Sequence, residues 1–391
     1  MKKFLAITIC VMMVCMLAVS VFAGSADDAV KAAKVELFIS PKGSELDNAA
    51  QMRGFTASPD GKYVYGGFLQ GGRLVGRYDA ATKELKGTYK PSSSDNELYC
   101  KGLAVDDRGN LFVGITHSGH SDIAIAAVDK DMKQIGYLSE DLGAANVGIN
   151  GVAVQKIKDQ YFLFAVTAYD VDSVRCYDVT DPKNIKLDDK FAANGVLDYP
   201  TVVGGTGDAS YIAADEEGYL YLTHLKSGSG KGSHVTKIAW DGKSVVKEVE
   251  LAQAYGICEA GDYVFVATNN KENSNVHVLN KSDLSEVAVI SVEGQSGKSL
   301  SDIAFGGGYL FIGDHGDGTS NMPGLIFRST AEIKVKAEAQ QPAEESTEPE
   351  QTPVDDKPNN PNTSDAAVIA IAAVTVVALA GAFIGKKVTK K

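Results

Sequence analysis

Short apolar segments alternate with tight polar turns along most of the chain, and one sequence motif recurs. Each copy has an apolar strand, a turn with Gly or Asp, and a second apolar strand, as expected for paired β-strands. The copies start about 45 to 60 residues apart, a period that in a strand-rich sequence predicts a propeller. They are RGFTASPDGKYVY at 53–65, KGLAVDDRGNLFV at 101–113, NGVAV at 150–154 with YFLFAV at 161–166, SYIAADEEGYLYL at 210–222, YGICEAGDYVFV at 255–266 and SDIAFGGGYLFI at 301–312.

Most copies continue with two further apolar stretches, which predicts four-stranded blades. The sixth copy is followed only by GLIFRS, whereas KVELFIS at 34–40 has no first strand of its own. We therefore expect 34–40 to be the fourth strand of blade six, because this closes the ring and removes exposed sheet edges. The predicted fold is an all-β, six-bladed β-propeller. A seventh blade would have to lie in the long spacing before Ser210.

Two known repeat types resemble parts of this pattern. The stretch RCYDVTDPKNIKL at 175–187 looks like an LVIVD-type propeller repeat. The general pattern over residues 35–330 is similar to six-bladed propellers of the NHL and gluconolactonase types. Such motifs specify fold far better than activity.

The N-terminal segment 1–23 has the features of a signal peptide. Lys2 and Lys3 precede an apolar run, and Val21-Phe22-Ala23 places suitable residues at the positions that signal peptidase reads. We expect cleavage after Ala23, which assigns 24–335 to the propeller domain. A retained N-terminal anchor is the alternative.

The C-terminal segment predicts an anchor. Residues 336–359 are rich in Glu, Pro, Gln, Thr and Asp and should form an extended stalk, because they can bury little apolar area. Residues 366–384 are uncharged and long enough to span a bilayer as a helix. Four lysines follow at 386–391, as expected for a cytoplasmic stop.

The sequence just before this apolar span resembles the cell-wall sorting signal of Gram-positive surface proteins. Pro361 and Thr363 match that pattern, Asn360 stands where Leu or Asn occurs, Asn362 fills the variable position, and Ser364 stands where Gly is commoner. The resemblance implies sortase and peptidoglycan as partners of segment 360–391. A plain membrane anchor is the alternative, and in either case the domain faces the outside of the cell.

Charge and cysteines exclude several classes of protein. The chain has 38 Lys and Arg and 50 Asp and Glu, and six of the lysines lie in the two terminal segments, so the part between them carries about −18. Such a surface repels nucleic acid. Beyond the signal peptide, Cys100, Cys176 and Cys258 have no metal-ligand or disulfide spacing and are predicted to be buried core residues.

Loop lengths predict which face of the propeller binds. Loops between blades and loops between strands two and three emerge on one face, and several of the latter are long, such as THSGHSD, HLKSGSGKGSH, TNNKENSN and GDHGDGTSNMPG. Five of the six histidines are expected in these loops. We expect a small-ligand site around the channel on this long-loop face. Its candidates are Arg53, Lys101, Asn150, Ser210, Tyr255 and Asp302 at the inner-strand starts, with His224, Asn269 and His315 from the loops.

A divalent ion such as Ca²⁺ is implied only by the likeness to lactonase-type propellers. Asp302, Asp314 and Asp317 are the candidate ligands. Arg53 and Lys101 would oppose a cation in the channel, and the GDHGDGTSN loop lacks the spacing and closing Glu of an EF-hand.

We therefore expect a surface-anchored propeller that binds an extracellular protein, a glycan or a small molecule. The alternative is an extracellular hydrolase of the lactonase type that depends on a divalent metal. No catalytic residue is assigned, because no Gly-x-Ser-x-Gly elbow, P-loop or HExxH motif is present. A structural spacer is a third class, which the unequal loop lengths disfavour.

Overall fold

The computed structural model describes residues 26–91, 98–117, 121–169, 171–198, 207–227, 233–270, 274–295 and 299–336. The signal peptide, the sorting motif from Asn360 to Ser364 and the apolar span, which were predicted above, lie outside these residues, as does the stalk apart from Lys336. No helix among the described residues is long and apolar enough to cross a membrane.

Six antiparallel sheets form the propeller, and each is built outward from its first strand. Blades one to three contain β2 (Ala50–Ala57), β3 (Tyr63–Gln70), β4 (Val75–Asp79) and β5 (Leu85–Tyr89); β6 (Leu98–Val105), β7 (Leu111–His117), β8 (Asp122–Val128) and β9 (Gln134–Asp141); and β10 (Val147–Ile157), β11 (Gln160–Tyr169), β12 (Ser173–Asp178), β13 (Lys186–Leu187) and β14 (Val196–Asp198). Blades four to six contain β15 (Gly207–Ala214), β16 (Leu220–Ser227), β17 (His234–Ile238) and β18 (Val245–Glu250); β19 (Ala254–Ala260), β20 (Tyr263–Thr268), β21 (Asn275–Asn280) and β22 (Glu286–Ser291); and β23 (Leu300–Gly306), β24 (Tyr309–Asp314), β25 (Ile326–Ser329) and β1 (Val35–Ile39).

The ring closes as the sequence predicts. Strand β1 lies antiparallel to β25, with Val35 opposite Ser329 and Ile39 opposite Ile326. The short helix α1 (Ala26–Lys31) precedes β1, and a 3₁₀ turn (Gly43–Glu45) follows it. Asp27 of α1 accepts a hydrogen bond from the Tyr263 hydroxyl at 2.5 Å, so the N-terminal segment is attached to blade five as well as to blade six.

The long spacing before Ser210 holds a divided outer strand. Strand β12 pairs with β13 at one end, through Tyr177 and Leu187, and with β14 at the other, through Ser173 and Asp198. The chain between β13 and β14 folds back, and Phe191 from this segment is fully buried. These residues therefore belong to blade three, which leaves six sheets among the described residues.

The apolar faces of the strands meet at the junctions between blades. Six apolar clusters lie among the described residues, one between each pair of successive blades. At the junction of blades three and four, Trp240 makes edge contacts with Phe162, Phe164 and Phe191 at centroid distances of 5.0, 5.3 and 5.9 Å. The repeat therefore has no core within a single blade, and each blade is stabilised by its neighbours.

The recurring Asp of the short turns has a local role. Asp106 accepts hydrogen bonds from the backbone N–H groups of Arg108 and Asn110, at 3.0 and 2.8 Å. Asp215 does the same for Glu217 and Tyr219, at 3.0 and 2.9 Å. An Asp side chain that satisfies the N–H groups of its own turn explains why the motif carries Asp between its two strands.

Glycines allow neighbouring inner strands to approach closely. A Cβ on Gly54 of blade one would lie 2.3 Å from the carbonyl oxygen of Lys101 in blade two. A Cβ on Gly102 would lie 2.9 Å from the backbone nitrogen of Val152 in blade three. These contacts are backbone to backbone, so no side-chain rotation can relieve an added methyl group.

We expect Gly54→Ala to destabilise the protein by about 1–3 kcal/mol, because the new Cβ overlaps the neighbouring strand. Gly87→Ala in the outer strand β5 is the matched control, because its Cβ would meet only the flexible side chain of Met132, at 3.0 Å. The measurement is the free energy of unfolding in urea. Equal losses for the two variants would contradict the close-approach explanation.

Candidate functional site

Each inner strand breaks its pairing register near the start, which marks a β-bulge or similar irregularity. The breaks lie between Met52 and Gly54, Cys100 and Gly102, Ile149 and Gly151, Ala209 and Ile212, Ala254 and Ile257, and Leu300 and Ile303. All six predicted ring positions fall within these intervals: Arg53, Lys101, Asn150, Ser210, Tyr255 and Asp302. A bulge bends the strand and redirects a side chain. The side chain of Ser210 lies outside the described part of the structure.

Two of these bulges lack the glycine found in the others. Gly54, Gly102, Gly151 and Gly256 follow the ring residue in blades one, two, three and five, whereas blade four has Tyr211. The Tyr211 hydroxyl donates a hydrogen bond of 2.5 Å to the carbonyl oxygen of Arg53 in blade one. Blades four and one lie opposite each other in a six-bladed ring, so this side chain crosses the channel. In blade six Asp302 stands at this glycine position, so Ser301, and not the predicted Asp302, is the equivalent of the ring residues in the other blades.

The crossing side chain belongs to an aromatic cluster. The Tyr211 and Tyr255 rings lie edge to face at 4.9 Å, and Tyr255 contacts His315 in the same way at 5.6 Å. Arg53 donates from Nη1 to the Tyr255 hydroxyl at 3.2 Å. We call Tyr211, Tyr255 and Arg53 the plug, because separate cavities lie at the two ends of the channel.

The cavity on the long-loop face is called the mouth pocket. Its volume is 210 Å³, and it combines inner-strand, interblade and strand-two-to-three loop residues, as the predicted face requires. Its lining residues are Gln51, Arg53, Asn269, Ser299, His315, Gly316 and Gly318. The structure thus brings three predicted residues, Arg53, Asn269 and His315, into one pocket.

His315 is a buried polar group of the mouth pocket. Its side chain is buried, its Nδ1 lies 2.9 Å from the Ser299 hydroxyl, and its backbone N–H donates to the Ser299 carbonyl at 2.9 Å. Its Nε2 is buried and has no hydrogen-bond partner among the residues that the structure describes. Burial, with smaller effects of the Arg53 and Lys101 charges, holds the pKa of His315 well below its usual range. The imidazole is therefore neutral and presents one unsatisfied nitrogen.

The other ring residues lie near this pocket or below the plug. The Lys101 ammonium donates to Oδ1 of Asn150, which joins blades two and three. Asp302 lies below the plug, where Oδ1 accepts from the backbone N–H groups of Ile303 and Ile257 at 2.9 and 3.3 Å. Burial raises the pKa of Asp302 well above its ordinary value despite these bonds.

The second cavity, at the short-turn end of the channel, has a volume of 270 Å³. It is lined mainly by inner-strand residues after the bulges, with Asp302, Cys258 and Glu259 among its polar groups. Burial, opposed by the charge of Lys281, raises the pKa of Glu259 to about 7. Cys258 is half-buried, whereas Cys100 and Cys176 are buried as predicted.

The structure corrects the placement of the histidines. His224 and His234 were expected in a loop, but His224 lies within β16, His234 begins β17, and the two residues lie directly opposite each other. Their rings stack at 4.2 Å, and both side chains are buried. Beyond His224, β16 continues to Ser227, where it pairs with β15. His117 is also in a strand, at the end of β7, although its side chain is not described.

The carboxylates proposed as metal ligands hold backbone groups. Asp314 Oδ1 accepts hydrogen bonds from the N–H groups of Gly316 and Leu325, at 2.8 and 2.9 Å. Asp317 Oδ1 accepts from the N–H and hydroxyl of Thr319, each at 2.7 Å. No group of three His, Cys, Asp or Glu placed to hold a metal occurs within the described ranges.

Comparison with known proteins identifies no family. No family model matches the chain, and no curated protein matches it. A solved structure described as "Structure of U3-55K" is 12% identical, with a TM-score of 0.49, and the match covers 76% of this chain and 99% of that one. For "Crystal structure of RRP9 WD40 repeats" the values are 11%, 0.48, 76% and 97%. Likeness at this level says nothing about function, and the six blades are established by the chain's own sheets.

Sequence reasoning missed Tyr211, Ser299 and Gln51. Tyr211 replaces a Gly at an equivalent repeat position, so its departure from the pattern was a usable signal. Gln51 has a left-handed backbone, with φ of 57°, and so does Gln253 at the equivalent place in blade five, with φ of 59°. Within the described residues this conformation occurs at the equivalent position only in blades one and five, and of the two residues only Gln51 lines the mouth pocket. Ser299 carried no signal, since its importance depends on contact with His315.

Acidification should lower the free energy of unfolding of wild type, because the folded state keeps His315 neutral. Because the pKa of His315 is lower in the folded state than the usual 6.5, the unfolded chain binds the proton first as the pH falls. Below about pH 6.5 this costs the folded state up to ~1.4 kcal/mol per pH unit, until the folded pKa is reached. His315→Gln lacks this titration. Below that pH, the free energy of unfolding of wild type should therefore fall relative to that of His315→Gln.

The measurement is urea unfolding of both proteins between about pH 7.5 and 5.0. Glu259 and Asp302, whose pKa values are raised in the folded state, change stability with pH in the opposite direction. That effect cancels in the difference between the two proteins. A difference that does not change with pH would contradict a buried, neutral His315.

Proposed function

We propose that this protein is a propeller displayed on the outside of the cell that binds an extracellular ligand at the mouth pocket. The observation that carries the proposal is the buried, unsatisfied Nε2 of His315 within a pocket of polar side chains. Buried polar atoms in proteins nearly always have hydrogen-bond partners, and a buried polar atom whose hydrogen bond is not made costs free energy. A ligand that bonds Nε2 recovers this free energy.

The plug supports binding at one face rather than passage through the ring. Tyr211 reaches the opposite blade and is almost fully buried. The floor of the mouth pocket is therefore formed by side chains that also hold blades together. A rigid floor with side chains already positioned lowers the entropic cost of binding.

The location outside the cell is supported by the sequence at both ends. The first 23 residues resemble a signal peptide, and the segment after Asn360 resembles a cell-wall sorting signal. The surplus of acidic residues is consistent with a domain that does not bind nucleic acid. The ligand class at this level is an extracellular protein, a glycan or a small molecule.

We expect the mouth pocket to account for ligand binding by the full-length chain. The test is to screen labelled protein on arrays of immobilised glycans and extracellular matrix proteins, and to screen a metabolite library by thermal shift. At least one hit should weaken tenfold or more in His315→Gln, because the substitution alters the buried donor or acceptor. Lys62→Gln, an exposed cation at a short turn, is the control and should leave every hit unchanged. Hits that His315→Gln leaves intact would refute binding at this pocket.

Anchoring should depend on the sorting segment. In a Gram-positive host, the full-length chain should fractionate with the cell wall and be released by wall digestion. Thr363→Ala should move it to the membrane fraction or the medium, because Thr363 corresponds to the residue whose carbonyl sortase transfers. Thr375→Ala, inside the apolar span, is the matched Thr control and should leave the wall fraction unchanged. An unchanged wall fraction for Thr363→Ala would refute the sorting assignment.

A further inference from the structure

We propose that the mouth pocket recognises the carboxylate of an acidic sugar, either free or at the end of a glycan. This rests on the proposed function and names the ligand class of that same pocket. The carboxylate would lie between Arg53 and Nε2 of His315, and the sugar hydroxyls would contact the amide side chains of Gln51 and Asn269.

The positive charge at the pocket indicates an anionic group. Arg53 lines the mouth pocket, and Lys101 is close enough for its charge to affect His315. None of the seven lining residues is acidic among those the structure describes. Asp314, which precedes His315 in the chain, is fully buried, and its Oδ1 accepts hydrogen bonds from two backbone N–H groups of its own loop. A negative ligand therefore meets cations at the pocket, although the chain as a whole carries −12.

The shape and number of the donors favour a carboxylate. A guanidinium carries five N–H donors in one plane and pairs readily with planar carboxylates. Arg53 lines the mouth pocket, and its Nη1 donates to the Tyr255 hydroxyl. His315 can donate from Nε2 when the Ser299 hydroxyl donates to Nδ1. A phosphate or sulfate polymer carries more negative charge, which the net charge of the chain repels at long range.

The remaining lining groups suit hydroxyl partners. Gln51 and Asn269 have amides that both donate and accept, as sugar hydroxyls do. The Asn269 backbone is fixed by a hydrogen bond of 2.8 Å to the Gln253 carbonyl, so its side chain extends from a defined position. The pocket volume of 210 Å³ lies below the range of about 300–1,000 Å³ that is usual for drug-sized ligands. It therefore suits one end group rather than an extended ligand.

The experiment titrates the full-length protein with D-glucuronate and N-acetylneuraminate, and reads out thermal shift and saturation-transfer NMR. D-glucose and the methyl ester of glucuronate are the neutral probes, and glucose 6-phosphate is the phosphate probe. We expect a saturable rise in melting temperature with at least one acidic sugar, and at least tenfold weaker binding of its neutral counterpart. Glycans that end in the same sugar distinguish a free sugar from a glycan end as the ligand. Stronger binding of the glycan than of the free sugar indicates that the ligand is a glycan end.

Variants assign the effect to the pocket. Arg53→Lys keeps the charge but loses the planar pairing, so it should weaken binding at least tenfold. Because Arg53 also contacts Tyr255, Asn269→Ala is the second variant, since its backbone hydrogen bond is retained and its fold should be unchanged. Asn269→Ala should weaken the binding of the acidic sugar and of its neutral counterpart by similar factors. Lys62→Gln should bind like wild type.

Three outcomes would overturn the carboxylate assignment: no response to either acidic sugar, equal binding of neutral and acidic sugars, or tighter binding of glucose 6-phosphate. If the array screen still yields hits that depend on His315, the ligand class is wrong and the binding function stands. If no hit in any arm depends on His315, both proposals fail together.

Discussion

The close approach of successive inner strands around the axis is the constraint on which the rest of the structure depends. The strands contact each other through backbone atoms, and this is sterically allowed only because Gly54, Gly102 and Gly256 lack a Cβ at the contact. The contact brings the bulges of neighbouring blades close together and so keeps the channel narrow. It also leaves space at the axis for one large side chain, which Tyr211 fills.

That side chain gives the two ends of the channel separate environments. Above it, Arg53 and neutral His315 create a polar pocket with an excess of positive charge. Below it, Asp302 and Glu259 are carboxylates whose pKa values are raised by burial. The two cavities share no lining residue, so the chemistry of each end is set by its own residues.

Repetition made much of the fold predictable and hid part of the site. The number of blades, the closing strand β1 and the face that carries long loops all follow from patterns that recur along the chain. Tyr211 does not recur, and its meaning depends on reaching Arg53 across the ring, a distance that no local pattern encodes. The stacked pair of His224 and His234 was missed for a related reason, because strand ends are set by pairing rather than by apolar periodicity.

The pairing of β1 with β25 fixes an order of events during synthesis. The ribosome produces β1 first, yet its partner, which contains Ser329, is made only after the five preceding blades are complete. Until then β1 is an open strand edge, and blade six cannot contribute its apolar face to either neighbour. Closure of the ring consequently depends on the strand pairing that spans the longest stretch of chain among the described residues, from Val35 to Ser329.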